Sequence, residues 1–353
     1  MVEEAVGVAL SGGVDSSVAA LLLRQEGRTL AGGCFTVHGD AGEEPAAARA
    51  RALCGRLGIP FHPVDVGNGF RRLVVGPFVE TYLSGRTPNP CVACNPAVKF
   101  GLFAQALRSL MEASGTLAPG GCFLFATGHY ARIRTGPDGA LLLRAASAAK
   151  DQSYVLYRLP RELLPTLLFP LGVMRKEDVR RLAVREGLPA AEEPESQDVC
   201  FADGGLEAFL RAQAGGARAL RAGDIVDMRG RVLGRHRGTA LYTVGQRQGL
   251  GLGNGPWYVA RIEAGEGRIV IGRSDEVRVD RFSAADLHWL VDPPARSLSC
   301  TVKVRYRSRD VACRVEPEGS SVRVLMEGME SVTPGQSAVF YDGEVVLGGG
   351  VIL

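Results

Sequence analysis

Apolar runs without charge recur through the first half of the chain, each ending in glycine or polar residues and each followed by a stretch of helical composition. Val6-Gly7-Val8-Ala9-Leu10 is the first such run. A run that does not alternate predicts a strand buried on both faces. Val18-Ala19-Ala20-Leu21-Leu22-Leu23-Arg24 follows it, and its Ala and Leu content predicts helix. The same pattern places strands over 29–37, 59–66 and 123–130, and helices over 45–57, 99–113 and 176–186, the last closed by Gly187 and Pro189. Strands alternating with helices of this length predict an α/β fold with right-handed crossovers and a parallel sheet covered on both faces.

From about residue 206 the texture changes to short segments (223–228, 232–233, 258–262, 268–271) punctuated by glycine turns, the pattern of small antiparallel sheets. Further short strands follow from about 274 to Gly348-Gly349-Gly350-Val351, as in a compact barrel. Three parts are expected: 1–205, 206–273 and 274–353. Within Lys303-Val304-Arg305-Tyr306-Arg307-Ser308-Arg309, alternation would put four cations on one face of a strand, suited to tracking a phosphate backbone.

Candidate chemistry concentrates in Leu10-Ser11-Gly12-Gly13-Val14-Asp15-Ser16-Ser17, between the first strand and the first helix. Glycines permit a sharp turn and close approach of a ligand. The helix N-terminus then offers amides and a positive dipole end to a phosphate, aided by three hydroxyls. No lysine follows, so this is not the GxxxxGK[ST] loop. Asp15 would repel a phosphate unless a cation such as Mg2+ lies between them. The plain alternative is an ordinary strand-to-helix turn capped by serine.

Gly85-Arg86-Thr87-Pro88-Asn89-Pro90-Cys91-Val92-Ala93-Cys94-Asn95-Pro96 holds three prolines and is expected as a rigid loop displaying two cysteines three apart. Cys34, Cys54 and Cys122 sit in apolar contexts and read as packing; Cys300 and Cys313 are assigned no chemistry. Cys200, alone beside Phe201, reads from composition as buried. Lys150-Asp151-Gln152-Ser153-Tyr154 reads as a helix start or as a polar site.

The net charge of +3 is unevenly placed: residues 206–273 carry 11 Lys and Arg against 5 Asp and Glu. That surplus suggests a polyanion-facing surface, or else a solvated basic face. No apolar run approaches the length of a membrane span, and Met1-Val2-Glu3-Glu4 is wrong for a secretory signal, so a cytoplasmic, reducing location is expected.

SGGVDSS resembles the pyrophosphatase loop of the ATP pyrophosphatases. With TPNPCVACN (87–95), ATGHY (126–130), KDQSYVLY (150–157), SQDVCF (196–201), YTVGQRQGLGLG (242–253) and TPGQ (333–336), the chain resembles the tRNA-specific 2-thiouridylase family along nearly its whole length. The resemblance implies an N-terminal adenine-nucleotide hydrolase domain (HUP-like), a small central tRNA-binding domain and a C-terminal β-barrel. It implies ATP-dependent replacement of O2 by sulfur in the wobble uridine of tRNAs for Lys, Glu and Gln.

On that resemblance Ala9, Leu10, Ser11, Gly12, Gly13, Val14, Asp15, Ser16, Gly128 and, through its backbone, Thr36 contact ATP, with Mg2+ on the pyrophosphate. Cys200 carries a persulfide sulfur, and Cys94 attacks it to free sulfide, leaving a Cys94–Cys200 disulfide. Asn89, Pro90, Cys91, Lys150, Asp151 and Gln152 handle the flipped base and nearby tRNA, while His129, Arg305, Tyr306 and Gln336 make further tRNA contacts. The sulfur donor would be a relay protein, a cysteine desulfurase or free sulfide, and a monomer is expected.

Cys91 stands where some relatives carry an acidic residue, so Cys91, Cys94 and Cys200 could instead ligate a [4Fe-4S] cluster whose fourth iron binds hydrosulfide. Two rival classes share parts of the pattern. An amide-forming ATP pyrophosphatase would need the glycine loop but neither the cysteines nor the basic domain. A non-catalytic RNA-binding module would have no need of intact Gly12, Gly13 and Asp15.

Overall fold

The computed structural model describes residues 4–37, 44–137, 139–188, 199–202 and 204–353, so Pro189 and residues 193–198 lie outside the described residues. The chain forms two compact units, one from residues 1–73, 91–196 and 344–346, the other from 74–90, 197–343 and 347–353.

In the first unit, β1 (Glu4–Ala9), β2 (Thr29–Thr36), β3 (Phe61–Asp65) and β4 (Cys122–Thr127) join a wholly parallel sheet, and after the β5 (Ala131–Gly136) and β6 (Gly139–Arg144) hairpin the short β7 (Leu167–Leu168) completes it. Its order is β3-β2-β1-β4-β7. Helices α1 (Val14–Gln25) and α2 (Pro45–Leu57) close over Val6, Val8 and Leu30, with Cys34 and Cys54 buried in the same core. Burial pushes the Cys54 thiol up to about 12, as expected of a packing residue. The expected α/β layering is therefore present, and Pro45–Leu57 matches its predicted helix to the residue.

Between β3 and β4 the chain runs α3 (Gly67–Phe70), a π-helical turn (Arg71–Val75), α4 (Gly76–Leu83), α5 (Pro90–Cys94), a π-helical stretch (Asn95–Phe103) and α6 (Ala104–Ala113). The rigid loop expected over 85–96 is thus only half right. Cys91 and Cys94 lie on a helical turn that Pro90 opens, and Pro96 sits in the first turn of the next stretch. Pro90 is tolerated there because a first-turn amide has no intrahelical acceptor to lose, while Pro96 lies where the helical backbone changes to the π-helical form. Residues 153–155 and 161–166 form 3-10 turns, not the alternative helix start. Helix α7 (Lys176–Arg185) ends before Gly187, whose φ is +60°.

In the second unit α8 (Leu206–Ala214) precedes a four-stranded sheet of order β10-β11-β8-β9, from β8 (Gly223–Asp227), β9 (Val232–His236), β10 (Tyr258–Glu263) and β11 (Arg268–Gly272). Then come β12 (Val279–Trp289), β13 (Leu298–Lys303), β14 (Val311–Glu318), β15 (Ser321–Glu330), β16 (Ser337–Asp342) and β17 (Val345–Ile352). β12 pairs with both β15 and β17, which closes a barrel.

The cationic strand expected over 303–309 is not formed. β13 ends at Lys303, Val304 is buried, and Arg305 to Ser308 make a turn in which Ser308 N and Oγ both donate to Arg305 O. That serine offers the backbone a local acceptor and donor, and the turn wins over strand pairing. Cys300 and Cys313 are register partners across β13 and β14, with sulfurs 3.6 Å apart. Among the described residues no helix is long and apolar enough to cross a membrane.

The sheet in the first unit depends on two glycines. A Cβ at Gly7 or Gly33 would stand 2.9 Å from the side chain of Leu107, which is fully buried on α6. Leu107→Ala is expected to lower unfolding free energy by about 2–5 kcal/mol, read from urea melts; an unchanged midpoint would contradict this packing.

Candidate active site

The glycine loop leaves β1 at the carboxyl end of the sheet, where ligands of such sheets bind. Gly12 adopts φ +70°, and a Cβ on it would stand 2.7 Å from Ala46 O, so α2 packs directly on the turn. Arg49 Nε also donates to Gly12 O at 3.0 Å. Gly13 caps α1 without a side chain, which leaves that helix end to a ligand. Gly128, at the end of β4, backs against the loop: its Cβ would lie 2.7 Å from Ser16 N.

The three expected hydroxyls do not all face outward. Ser16 and Ser17 are buried and their hydroxyls donate to Gly13 O at 3.1 and 2.9 Å, while Ser16 Oγ also accepts from Ser11 N at 3.1 Å. A buried hydroxyl in a first helical turn satisfies itself on the nearest preceding carbonyl. Only Ser11 remains exposed, and it is the hydroxyl placed for a ligand. Thr36 is half-buried at the end of β2, where its carbonyl accepts from Val66 N at 3.0 Å.

Asp15 has a partner that sequence reading did not supply. Lys176 Nζ, on a side chain only 5% exposed, lies 2.6 and 2.7 Å from its two oxygens, and Tyr130 OH donates to it at 2.7 Å. Tyr130 is itself fixed by Gln152: its amide donates to Gln152 Oε1 at 2.9 Å and its carbonyl accepts from Gln152 N at 2.8 Å. The residues assigned to nucleotide and to substrate are thereby joined by one hydrogen-bonded chain, Gln152–Tyr130–Asp15–Lys176.

Asp151 is buried and turned into the fold, accepting from Ala145 N, Ser153 N and Ser153 Oγ at 3.0, 3.1 and 3.0 Å. Arg144 stands 3.6 Å from it. Lys150, beside it, is half-buried. His129 lies with its ring between Phe100 and Phe169, and its Nδ1 is 2.7 Å from Thr127 Oγ1. Burial, and then the nearby Lys99, holds its imidazole well below the usual value.

Cys91 is exposed and Cys94 half-buried on α5, three residues apart and so on one face of a helical turn. Asn95 anchors that turn inside the first unit, its Nδ2 donating to Val155 O at 2.9 Å. Cys200 belongs to the second unit and is exposed, contrary to the buried reading from composition. It is Phe201 that is buried, packed edge-on to Phe78 of α4 and Phe209 of α8 with centroids 5.1 and 5.3 Å away. Asn89 and Pro90 are half-buried, Arg305 is exposed, Tyr306 half-buried, and Gln336 is half-buried with Nε2 donating to Thr87 O at 2.8 Å. Among the described residues no three Cys, His, Asp or Glu side chains are grouped as a metal site.

Sequence reading missed Lys176, Tyr130 and Arg49. One signal was available for the first: a lysine in the opening turn of a helix opposes the helix dipole and calls for an anionic partner.

A parallel sheet with a glycine turn at its carboxyl rim, a helix N-terminus and an acidic residue inside the turn define a nucleotide-binding domain of the ATP pyrophosphatase class. Residues 4–204 match the family described as tRNA methyl transferase HUP domain, 209–273 the tRNA methyl transferase PRC-barrel domain and 279–352 the aminomethyltransferase beta-barrel domain. The chain is 44% identical to the tRNA-specific 2-thiouridylase MnmA of Chloroflexus aurantiacus and 43% identical to that of Pelobacter propionicus, over 98% of this chain and 97% of each relative. It belongs to the tRNA-specific 2-thiouridylase (MnmA) family. Among solved structures, the U34-tRNA thiolase NcsA from Methanococcus maripaludis aligns at a TM-score of 0.34 and 17% identity over 59% of this chain and 62% of that one, too distant to carry an argument.

Two measurements probe this site. Lys176→Met and Asp15→Asn should each lower unfolding free energy by about 1–3 kcal/mol, with the double variant losing clearly less than the sum; strict additivity would mean the pair is not coupled. The lowered His129 pKa means the folded state keeps the ring neutral, so its contribution is present above about pH 6.5 and is lost as pH falls below that unfolded-state value. His129→Gln should therefore flatten the acid limb of stability, by no more than about 1.4 kcal/mol per pH unit, in melts between pH 7 and 5.

Proposed function

We propose that this protein is an ATP-dependent tRNA-uridine 2-sulfurtransferase that acts on the wobble uridine, uridine 34, of tRNAs for Lys, Glu and Gln. The observation that carries the reading is the Gln152–Tyr130–Asp15–Lys176 chain, which ties the nucleotide loop to the segment matched to substrate in a member of this family. ATP supplies adenylation of O2, converting an oxygen that cannot leave into one that departs as AMP, and Mg2+ held near Asp15 would neutralise charge on the pyrophosphate. The glycine loop fits such an anion: Gly13 caps α1 without a side chain, and a Cβ on it would meet only Ser11 Oγ, at 3.5 Å. Ser11 and the α1 end would hold phosphate, and Gly128 keeps the loop closed from behind.

The division of labour follows the three parts 1–205, 206–273 and 274–353, with nucleotide and thiol chemistry in the first and RNA contact in the others. The groove in the second unit lined by Arg218, Arg221, Arg235 and Arg268, with Asp224 and Glu266 among them, supports an RNA-facing role. Lys150, Asp151, Gln152 and His129 would organise the base pocket, Asp151 through the backbone it holds. Arg305 and Tyr306 would meet RNA from the turn after β13. The reaction is placed in the cytoplasm, and a monomer suffices for it.

Sulfur reaches C2 by one of two routes. In the first, the Cys94 thiolate attacks a persulfide on Cys200, an S–S bond forms between the cysteines, and the terminal sulfur leaves as hydrosulfide to attack C2. The persulfide is handed on as sulfane sulfur from a persulfide of a relay protein or a cysteine desulfurase, whose own thiol is released; free sulfide is already at the hydrosulfide level and would serve the second route. In the second, Cys91, Cys94 and Cys200 would hold a [4Fe-4S] cluster, which would supply iron able to bind hydrosulfide. The helical spacing of Cys91 and Cys94 presents both thiols on one side, as a two-thiol ligand set needs, and Cys91 is the residue that separates the routes.

The test is mass spectrometry of tRNA incubated with ATP, Mg2+ and either sulfide or a persulfide-bearing cysteine desulfurase, after anaerobic purification with an iron count. Cys94→Ala and Cys200→Ala are expected to lose at least about a hundredfold in 2-thiouridine formation on either route. Cys91→Ala loses as much only with the cluster. A colourless, fully active protein leaves the cysteine pair, and binding of bulk tRNA without pyrophosphate release would revive the non-catalytic rival.

A further inference from the structure

Thr87-Pro88-Asn89-Pro90-Cys91 carries the chain from the end of α4 toward the cysteine turn. The two prolines fix φ and hold the residue ahead of each in extended backbone, so the tether is stiff. Whatever places Thr87 is therefore transmitted to Cys91, four residues on, with little slack.

Within the second unit Thr87 is gripped on all of its polar groups. Its amide donates to Pro334 O at 2.9 Å, its carbonyl accepts from Gln336 Nε2 at 2.8 Å, and its hydroxyl donates to Thr243 Oγ1 at 3.0 Å. The grip is anchored behind. Gly335 N donates to Ile352 O and Ile352 N to Gln336 O, both at 2.9 Å, and the buried Thr333 hydroxyl donates to Val244 O at 3.0 Å. Gly335 adopts φ +90°, and a Cβ on it would stand 2.8 Å from Thr87 N and 3.0 Å from Thr87 O. The turn Thr333-Pro334-Gly335-Gln336 is thus shaped around the backbone of one residue 249 positions away from Gln336.

We propose that Gln336, with Gly335 and Thr243, is a positioning clamp for the cysteine-bearing segment, acting on sulfur transfer through Thr87 whatever else it touches. The inference rests on the thiolation reading and reassigns Gln336 within it. Two segments, Tyr242-Thr243-Val244-Gly245-Gln246 and the 333–336 turn, acquire a shared purpose, because both close on the residue from which the stiff tether starts.

The experiment compares wild type with Gln336→Ala, Gln336→Glu and Thr243→Val. It reads kcat and the KM for tRNA in 2-thiouridine formation, and the iodoacetamide alkylation rates of Cys91 and Cys94 without tRNA, resolved by peptide mass spectrometry. Gln336→Glu keeps the shape but removes the donor, and Thr243→Val is isosteric, so each guards against a folding defect in the alanine variant. The clamp predicts a kcat at least about tenfold lower with tRNA KM within about twofold, as expected when a reacting group is displaced by a fraction of an ångström. It also predicts Cys91 alkylation about threefold faster or more, in the same direction for all three variants. A raised tRNA KM with kcat and alkylation unchanged would overturn it and return Gln336 to RNA contact. Wild-type protein that thiolates no tRNA would sink the thiolation reading, while the alkylation arm would still decide the clamp.

Discussion

A carboxylate inside an anion-binding turn creates an electrostatic conflict, and the resolution of that conflict organises the first unit. Asp15 sits where phosphate should bind, and Lys176, brought from the start of α7, meets it with two charge-assisted hydrogen bonds. The lysine is nearly buried, so its charge could not stand there without the carboxylate. Tyr130 adds a third hydrogen bond and is itself locked by Gln152. The loop geometry is therefore set by residues scattered over more than 160 positions.

The thiols depend on a different kind of support. Cys91 and Cys94 ride on the first turn of a helical run that continues without a break through Ala113, and residues on both sides fix where that turn starts. On one side Asn95 is pinned to Val155 O; on the other Thr87 is held by the 333–336 turn. Cys200 is exposed on a turn whose next residue, Phe201, is buried against Phe78. Helix α4 thus carries Phe78 and, a few residues past its end, Thr87, so one element supports the approach to both sulfur-bearing segments.

Several polar residues that motif matching assigns to substrate spend their hydrogen bonds inside the fold. Asp151 holds the backbone of Ala145 and Ser153, Gln152 holds Tyr130, and Gln336 holds Thr87. Such residues restrict the backbone around them, so their side chains act first on the fold.

Periodicity and composition determined the layers of this protein: apolar runs long enough for two-faced burial dictate parallel strands, and helix 45–57 is legible because its Ala content and its Pro and Gly ends all act locally. The glycine turn was legible for the same reason, since Gly12 needs a positive φ whatever surrounds it. Tertiary structure decided what depends on distant partners. Pro90 fell at a helix start, where a missing amide costs nothing, and the cations after Lys303 fell in a turn because Ser308 found a local acceptor. Lys176 is a lysine like any other until folding sets it against Asp15, because the attraction of opposite charges depends on distance in space and not on separation along the chain.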